Sequence, residues 1–276
     1  MSTSSEYLTS LFGLDGLTAV VIGGTGVLGG AFCEALGGAG AHVVVVGRTL
    51  KTDEATGKTI VDTITDAGGS AEFFKADSTS QDDLEAIVAH LKSADRECNV
   101  LINGAGVNSA TPFLEIEEEE WERIVNINLR GVRLACQVFA RDMIVRGTKG
   151  SIINIASLSG ITALSRVFTY SATKAAVINL TQNLAREFAQ YGIRVNALSP
   201  GFFPAEQNRK VLTPDRVASI RKHTPTLRPT DDDPESPFGT PDELAGAVVL
   251  MASPKAGSFM TGENIVVDGG FTSMTI

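Results

Sequence analysis

Short apolar runs alternate with longer amphipathic stretches along most of this chain. The run Val43-Val44-Val45-Val46 is apolar at every position, as in a strand that helices cover on both faces of a parallel sheet. Seven such runs predict strands over residues 18–22, 42–46, 71–75, 100–102, 151–155, 194–197 and 264–267. The stretches between them have helical periodicity. The pattern predicts an α/β fold, a doubly wound (Rossmann) seven-stranded parallel sheet with helices on both faces.

The 276 residues suffice for one large domain, and no change in composition divides them. We expect a flexible N-terminal tail over residues 1–12 and a single dinucleotide-binding and catalytic domain over residues 13–276. Residues 202–238 break the alternation because they are long, Pro-rich and polar, which is typical of a lid or binding loop. We predict a substrate lid there, with a plain surface insertion as an equal alternative for residues 228–238.

Charge and composition exclude several classes of partner. The net charge of -9 argues against nucleic acid and against an anionic membrane surface, which both require clustered Lys and Arg. No apolar run is long enough to span a membrane, and no apolar leader segment follows Met1. Three cysteines and three histidines are scattered without metal-ligand spacing, so we expect free thiols, no metal and a cytoplasmic location.

A glycine-rich turn follows the first predicted strand and leads directly into a helix. Such a turn lets the backbone approach a pyrophosphate, and the helix N-terminus then supplies N–H groups. The turn by itself is a weak signal, but its place at the first strand-to-helix connection favours a dinucleotide site. The predicted cofactor-binding residues of this turn are Gly23, Thr25, Val27, Leu28 and Gly29.

The ends of the next strands supply further cofactor candidates. Gly47 stands where NAD sites tend to have an acidic residue, and Arg48 can bind a 2′-phosphate, so NADP(H) is favoured over NAD(H). A surface arginine that caps a strand is the alternative. Asp77 could accept a hydrogen bond from the adenine amino group, whereas Ser78 could bind the cofactor or only cap the next helix. The turn after the fourth strand adds Asn103, Gly104 and Ala105.

The candidate catalytic residues are Ser157, Tyr170 and Lys174. Ser157 follows the fifth strand, and Tyr170 and Lys174 are four residues apart on one helical face. A phenol with a pKa of ~10 is a poor acid or base near pH 7, and we expect the ammonium to lower that pKa. The serine hydroxyl can donate to the same carbonyl oxygen as hydride arrives.

This set of residues resembles the short-chain dehydrogenase/reductase family of the single-domain type, over about residues 16–271. The resemblance implies that Tyr170 is the acid/base, that Lys174 binds the nicotinamide ribose, and that Ser157 positions the substrate carbonyl. It also implies that Asn128 holds a water in a proton relay and that the protein is a homotetramer. Further cofactor contacts are expected from Pro200, Gly201 and Phe203. The chain departs from the family pattern at Val27 and Gly104.

A closer resemblance is to the D-mannonate oxidoreductase (fructuronate reductase-like) branch, through Pro200-Gly201-Phe202-Phe203 and His223-Thr224-Pro225. It implies hydride transfer between nicotinamide and a carbonyl or secondary alcohol of a small molecule, a sugar acid. Amides can bind its hydroxyls and an arginine its carboxylate. The candidate substrate-binding residues are Asn108, Gln207, Asn208 and Arg209, with Arg228 as a weaker one. A 3-oxoacyl thioester or other ketone is an alternative substrate, and a non-catalytic NADP-sensing regulator is an alternative function.

Overall fold

A computed structural model describes residues 3–203, 212–228 and 233–274 of the chain. All seven strands pair in parallel, in the order β3-β2-β1-β4-β5-β6-β7. Their bounds are β1 Thr18–Ile22, β2 His42–Gly47, β3 Ser70–Lys75, β4 Val100–Asn103, β5 Ser151–Ile155, β6 Arg194–Pro200 and β7 Asn264–Val267. The predicted doubly wound parallel sheet is therefore confirmed. The largest difference in bounds is in β6, which runs past the predicted end at Ala197.

Helices cover both faces of the sheet. They are α1 Ser4–Phe12, α2 Val27–Gly38, α3 Ile60–Asp66, α4 Gln81–Ser93, α5 Glu118–Val125, α6 Gly131–Arg146, α7 Phe168–Phe188, α8 Pro214–His223 and α9 Ala245–Ala252. Alternate strand residues enter two separate cores: Val20 and Val44 pack with residues of α4, α6 and α7, and Val21 packs with residues of α2 and α9. None of the described helices combines the length and the apolar character that a membrane span requires.

Most of the segment that we expect to be a flexible tail, residues 1–12, is the helix α1. Residues 4–12 are helical, and a capping box between Thr3 and Glu6 begins the helix. The Ser253 hydroxyl donates a 2.6 Å hydrogen bond to the Leu11 carbonyl and so ties the end of α1 to the loop after α9. The sequence signal was present in the Thr-x-x-Glu spacing, but no residue of α1 is buried, so no apolar stripe marks it.

The segment over residues 202–238 also differs from the irregular stretch that the sequence predicted. It contains α8, which has Pro214 in its first turn. Proline fits this position because the first N–H groups of a helix have no partner within the helix, so the N–H that proline lacks is not needed. After α8, backbone hydrogen bonds between Arg228 and Ser236 form an antiparallel bridge. The Arg221 side chain donates to the Glu235 carbonyl at 2.8 Å and pairs with Asp233. Described parts of this segment are therefore folded onto each other.

Candidate active site

A cleft of about 1200 Å³ lies at the carboxyl edge of the sheet, where β1 and β4 are neighbours and the strand order reverses. This is where open α/β sheets bind their ligands. Most of the predicted cofactor and catalytic residues line it. They are Gly23, Thr25, Val27, Leu28, Gly29, Arg48, Asp77, Ser78, Gly104, Ala105, Ser157, Tyr170, Lys174, Pro200, Gly201 and Phe203. The predicted cofactor-binding residues and the predicted catalytic residues therefore line the same cleft.

The turn between β1 and α2 leaves no room for side chains at two positions. Gly23 has a φ of 81°, and a Cβ there would lie 2.7 Å from the Ala105 nitrogen. A Cβ on Gly29 would collide with the Gly23 carbonyl, so α2 lies directly against the turn. Gly26 is the N-cap of α2 and has no side chain that could accept a hydrogen bond from the first N–H groups of the helix. This cradle fits a dinucleotide pyrophosphate.

Charged side chains of both signs line the end of the cleft beyond β2 and β3. The exposed side chain of Arg48 lies near Asp77. Hydrogen bonds from Thr79 lower the pKa of Asp77 below 3.8, and the charge of Arg48 makes a smaller contribution in the same direction. The loop between β2 and α3 adds Lys51 and Lys58 to the cleft wall. Sequence reasoning missed these two lysines because they lie in a polar loop without a motif.

Two neighbouring predictions need adjustment. Asp77 does line the cleft, but its Oδ1 already accepts hydrogen bonds from the Thr79 nitrogen at 2.8 Å and the Thr79 hydroxyl at 2.7 Å. The N-cap of α4 is Ser80, whose hydroxyl accepts from Asp83, so the alternative that Ser78 caps this helix is wrong. Ser78 itself lines the cleft.

Asn103 is the predicted cofactor residue that lies outside the cleft lining. Its amide nitrogen donates a 2.8 Å hydrogen bond to the Asn154 Oδ1 and also contacts the Cys136 sulfur. Asn154 in turn donates to the Thr181 hydroxyl at 2.9 Å. Asn103 thus belongs to a buried polar chain behind the site, and this placement does not support a cofactor contact by its side chain.

The three candidate catalytic side chains converge in the cleft. Ser157 directly follows β5 and its neighbour Ala156, and Tyr170 and Lys174 lie one turn apart at the start of α7. The Lys174 Nζ is 5.5 Å from the centre of the Tyr170 ring and donates a 2.6 Å hydrogen bond to the Ile155 carbonyl. The Ser157 hydroxyl accepts hydrogen bonds from the Ser159 nitrogen at 3.2 Å and the Ser159 hydroxyl at 3.1 Å. The end of β5 and the one-turn spacing on α7 together bring these three side chains into the same part of the cleft.

The pKa values differ from the sequence expectation. Burial raises the pKa of Tyr170 above its ordinary value of 10, and the hydrogen bond with Ser157 offsets only part of this. Burial also lowers the pKa of Lys174 to about 8. The ammonium of Lys174 is hydrogen bonded to the Ile155 carbonyl, and the expectation that it lowers the Tyr170 pKa stays a prediction. Near pH 7 the phenol keeps its proton and is a proton donor.

Asn128 lies in a single π-helical turn, Asn126–Arg130, between α5 and α6. Its fully buried amide pairs with the backbone of Val107, accepting from the nitrogen at 2.8 Å and donating to the oxygen at 2.9 Å. A Cβ on Gly106 would lie 3.5 Å from the Asn128 Oδ1 and 3.7 Å from the Lys174 Nζ. Asn128 therefore fixes the loop after β4 beside Lys174. π-turns of this kind are frequent at functional sites.

The candidate substrate-binding residues are only partly visible. Gln207, Asn208 and Arg209 lie outside the described residues. The Asn108 Oδ1 accepts a 2.8 Å hydrogen bond from the Ser109 nitrogen, and Asn108 is not part of the cleft lining. Arg228 pairs with Glu243, so its guanidinium already has an anionic partner.

The cysteines take no part in the cleft. Cys33, Cys98 and Cys136 are free and buried, and burial raises the pKa of the Cys136 thiol to about 12. A thiol with so high a pKa is a weak nucleophile. Within the described ranges, no three His, Cys, Asp or Glu side chains form a group that could hold a metal ion.

Comparisons with known proteins agree with this geometry. The short chain dehydrogenase family profile matches residues 17–215. A galactitol 2-dehydrogenase from Rhizobium johnstonii is 37% identical over 267 residues, covering 95% of this chain and 97% of the relative. An NAD-dependent glycerol dehydrogenase from Listeria innocua is 33% identical over 261 residues, covering 95% and 96%.

A solved structure is similar over almost its whole length. It is a gluconate 5-dehydrogenase from Burkholderia cenocepacia in complex with NADP and tartrate, with a TM-score of 0.86 and 32% identity, covering 97% of this chain and 100% of that one. The stretch of this chain that the profile matches, residues 17–215, contains the turn after β1, Ser157, Tyr170 and Lys174. The chain belongs to the short-chain dehydrogenase/reductase family and is an NAD(P)-dependent oxidoreductase.

Proposed function

We propose that the protein transfers hydride between NADP(H), in preference to NAD(H), and a carbonyl or secondary alcohol of a polyhydroxy acid. The observation that carries this proposal is the convergence of Ser157, Tyr170 and Lys174 at the end of β5, in the same cleft as the turn before α2. The nicotinamide, when bound, supplies or accepts the hydride.

The side chains handle the proton and the position of the substrate. In reduction, the Tyr170 hydroxyl gives its proton to the carbonyl oxygen as hydride reaches the carbonyl carbon, so the product is a neutral alcohol. The Ser157 hydroxyl donates a hydrogen bond to the same oxygen and stabilises its developing charge. Lys174, with a pKa of about 8, is mostly protonated near neutral pH and holds the nicotinamide ribose. Asn128 supports the proton relay by positioning the loop after β4.

The preference for NADP(H) rests on Gly47 and Arg48. A carboxylate at position 47 would repel a 2′-phosphate, and none is present. The guanidinium of Arg48 can form charge-assisted hydrogen bonds to that phosphate. The relatives cover both cofactors, since one is an NAD-dependent enzyme and the solved structure is a complex with NADP.

The proposed substrate is a sugar acid or a closely related polyol. The relatives act on galactitol, glycerol and gluconate, which favours a polyhydroxy chain over a 3-oxoacyl thioester. D-mannonate and D-fructuronate remain members of the proposed class. Assays of uronates, aldonates and neutral polyols with both cofactors test it, and failure of every acid would refute the acid assignment.

We further propose that the protein is a cytoplasmic homotetramer, following the resemblance to its family. Large apolar side chains such as Leu114, Val145 and Phe259 are exposed on the single chain, which favours association. Light scattering coupled to size exclusion measures the state directly.

Replacement of the phenol tests the reaction. Tyr170→Phe should lower kcat by at least about 100-fold, because general acid–base catalysis contributes ~10²–10⁴-fold, while NADPH binding followed by fluorescence should persist. Tyr191→Phe is the control, since it removes the same hydroxyl from an exposed site at the far end of the α7 region. An unchanged kcat in Tyr170→Phe would refute the mechanism.

A further inference from the structure

A small cavity lies behind one wall of the cofactor cleft. Its volume is about 10 Å³, close to the ~10–15 Å³ that a single water molecule needs. Four residues line both this cavity and the cleft and so form the wall between them: Ile22, Ser78, Ala105 and Ile127. The rest of the cavity lining consists of Asn103, Gly131 and Val132.

The buried polar chain of Asn103, Asn154 and Thr181 has a fixed direction, which Thr181 sets. The Thr181 hydroxyl donates its one hydrogen to the Val177 carbonyl at 2.8 Å, so toward Asn154 it can only accept. The Asn154 amide therefore turns its nitrogen to Thr181 and its oxygen to Asn103. Asn103 must offer its own amide nitrogen to that oxygen, and its Oδ1 is left without a partner within the described residues.

The unpaired oxygen of Asn103 is shielded from bulk solvent. The residue is only 3% exposed. A buried amide oxygen without a hydrogen bond is unfavourable, because it has lost its bonds to water and gained none. Cavities that stay dry are lined by apolar groups, whereas cavities lined by unpaired polar groups contain ordered water. The Asn103 Oδ1 therefore makes this cavity suitable for water.

Ser78 supplies the second polar group of the cavity. A Cβ on Gly131 would lie 3.1 Å from the Ser78 carbonyl oxygen and 3.5 Å from its hydroxyl oxygen. Both oxygens of Ser78 thus lie beside Gly131, which is itself part of the cavity lining. A buried water needs at least about two polar partners, and Asn103 and Ser78 provide them.

We propose that this cavity binds one water molecule, which donates one hydrogen bond to the Asn103 Oδ1 and one to an oxygen of Ser78. Asn103 is then a positioning residue, because it acts on the cofactor cleft through the water while its own side chain lies outside the cleft lining. The water connects the loop after β3 to the end of β4 and fixes the wall that the cofactor contacts.

A crystal structure of the wild-type protein with NADP bound tests the water site directly. We expect electron density for one water within about 3.2 Å of both the Asn103 Oδ1 and an oxygen of Ser78. A cavity without water, or an Asn103 oxygen that is paired with a protein donor, would overturn the inference. This test requires no variant to fold.

The positioning role is tested by comparing Asn103→Leu with Thr181→Val. Both variants interrupt the buried polar chain, so both should lower the melting temperature. Only Asn103→Leu removes the acceptor of the water, since Thr181 is no part of the cavity lining. Thr181→Val is therefore the matched control.

The two variants should differ in cofactor affinity. In Asn103→Leu the dissociation constants of NADP and NAD should both rise at least about threefold, because the wall of the cleft loses a hydrogen bond and the two cofactors differ only in the 2′-phosphate. In Thr181→Val both constants should change less than about twofold. Equal rises in the two variants, or unchanged constants in Asn103→Leu, would refute the positioning role. Because both cofactors are measured, this result does not depend on the proposed preference for NADP(H).

Discussion

At the scale of single residues, the contact between Gly47 and Thr25 determines what can bind beyond β2. A Cβ on Gly47 would lie 2.6 Å from the Thr25 hydroxyl, so the threonine fills the space that a side chain at position 47 would need. Arg48 is the next residue, exposed at the cleft. The absence of a carboxylate at position 47 is thus tied to the packing of the first turn.

Removal of the Arg48 charge should separate the two cofactors. We expect Arg48→Ala to weaken NADP binding at least about tenfold, because hydrogen bonds to charged groups contribute ~1.5–3 kcal/mol, and to change NAD binding much less. Titration of cofactor fluorescence measures both dissociation constants. Arg133→Ala, on α6 and bonded to Gln137, is the control. Equal losses for the two cofactors would contradict the phosphate role.

The convergence of the candidate catalytic residues was predictable from the sequence, whereas their burial was not. Ser157, Tyr170 and Lys174 are identified by a strand end and a helical spacing, which are local features. The largest influence on the pKa of Tyr170 is the burial of its phenol, which raises that pKa. Burial is a tertiary property, so residue chemistry alone could not predict its effect on the pKa.

At the scale of elements, the junction of β1 and α2 sets the geometry of the cofactor cradle. Helix α2 approaches the turn at Gly29 so closely that a methyl group would meet the Gly23 carbonyl. The same helix ends at Gly38, where a Cβ would meet nothing within 4 Å. Helix α2 therefore contains one glycine without room for a side chain, Gly29, and one with room for it, Gly38.

Alanine at these two glycines should have opposite effects. Gly29→Ala should lower the free energy of unfolding by ~1–3 kcal/mol and weaken cofactor binding, because the helix must move away from the turn. Gly38→Ala should leave binding unchanged and raise that free energy by up to ~1 kcal/mol, since alanine favours helix. Urea denaturation and NADPH titration measure both. Normal cofactor affinity in Gly29→Ala would show that the close approach is dispensable.

Elements with an apolar face were predictable, and polar ones were not. The buried run of β2 indicates a strand whatever its neighbours are. Helix α8 carries one buried residue, Ile220, and α1 carries none, so neither leaves a periodic apolar signal. Both begin at local signals, a proline in α8 and a capping box in α1, which are informative only once the start of a helix is suspected.

At the scale of the whole molecule, the edge of the sheet opposite β7 is held by a charge cluster remote from the catalytic groups. Glu72 of β3 accepts from the His42 ring of β2 at 3.1 Å and from the His90 ring of α4 at 3.0 Å. Burial acts to raise the pKa of Glu72, but these two hydrogen bonds together outweigh it and hold the pKa below 4.5. The cluster joins two strands and a helix, so it bears on global stability rather than on catalysis.

A depressed carboxyl pKa stabilises the fold only above the pKa of the unfolded chain. The contribution of Glu72 should therefore be present at neutral pH and disappear as the pH falls below 4.5 and through the lower folded value. We expect Glu72→Gln to lower the melting temperature at pH 6–7, and the difference from wild type to shrink toward zero near pH 3. Glu85→Gln on α4 is the control, because the donor that the described residues offer to Glu85 is Gln81 of the same helix. Melting curves from pH 3 to 7 check this, with NADPH binding at pH 7 unchanged because Glu72 is no part of the cleft. A constant difference across that range would mean that the shape of Glu72, and not its charge, holds this edge of the sheet.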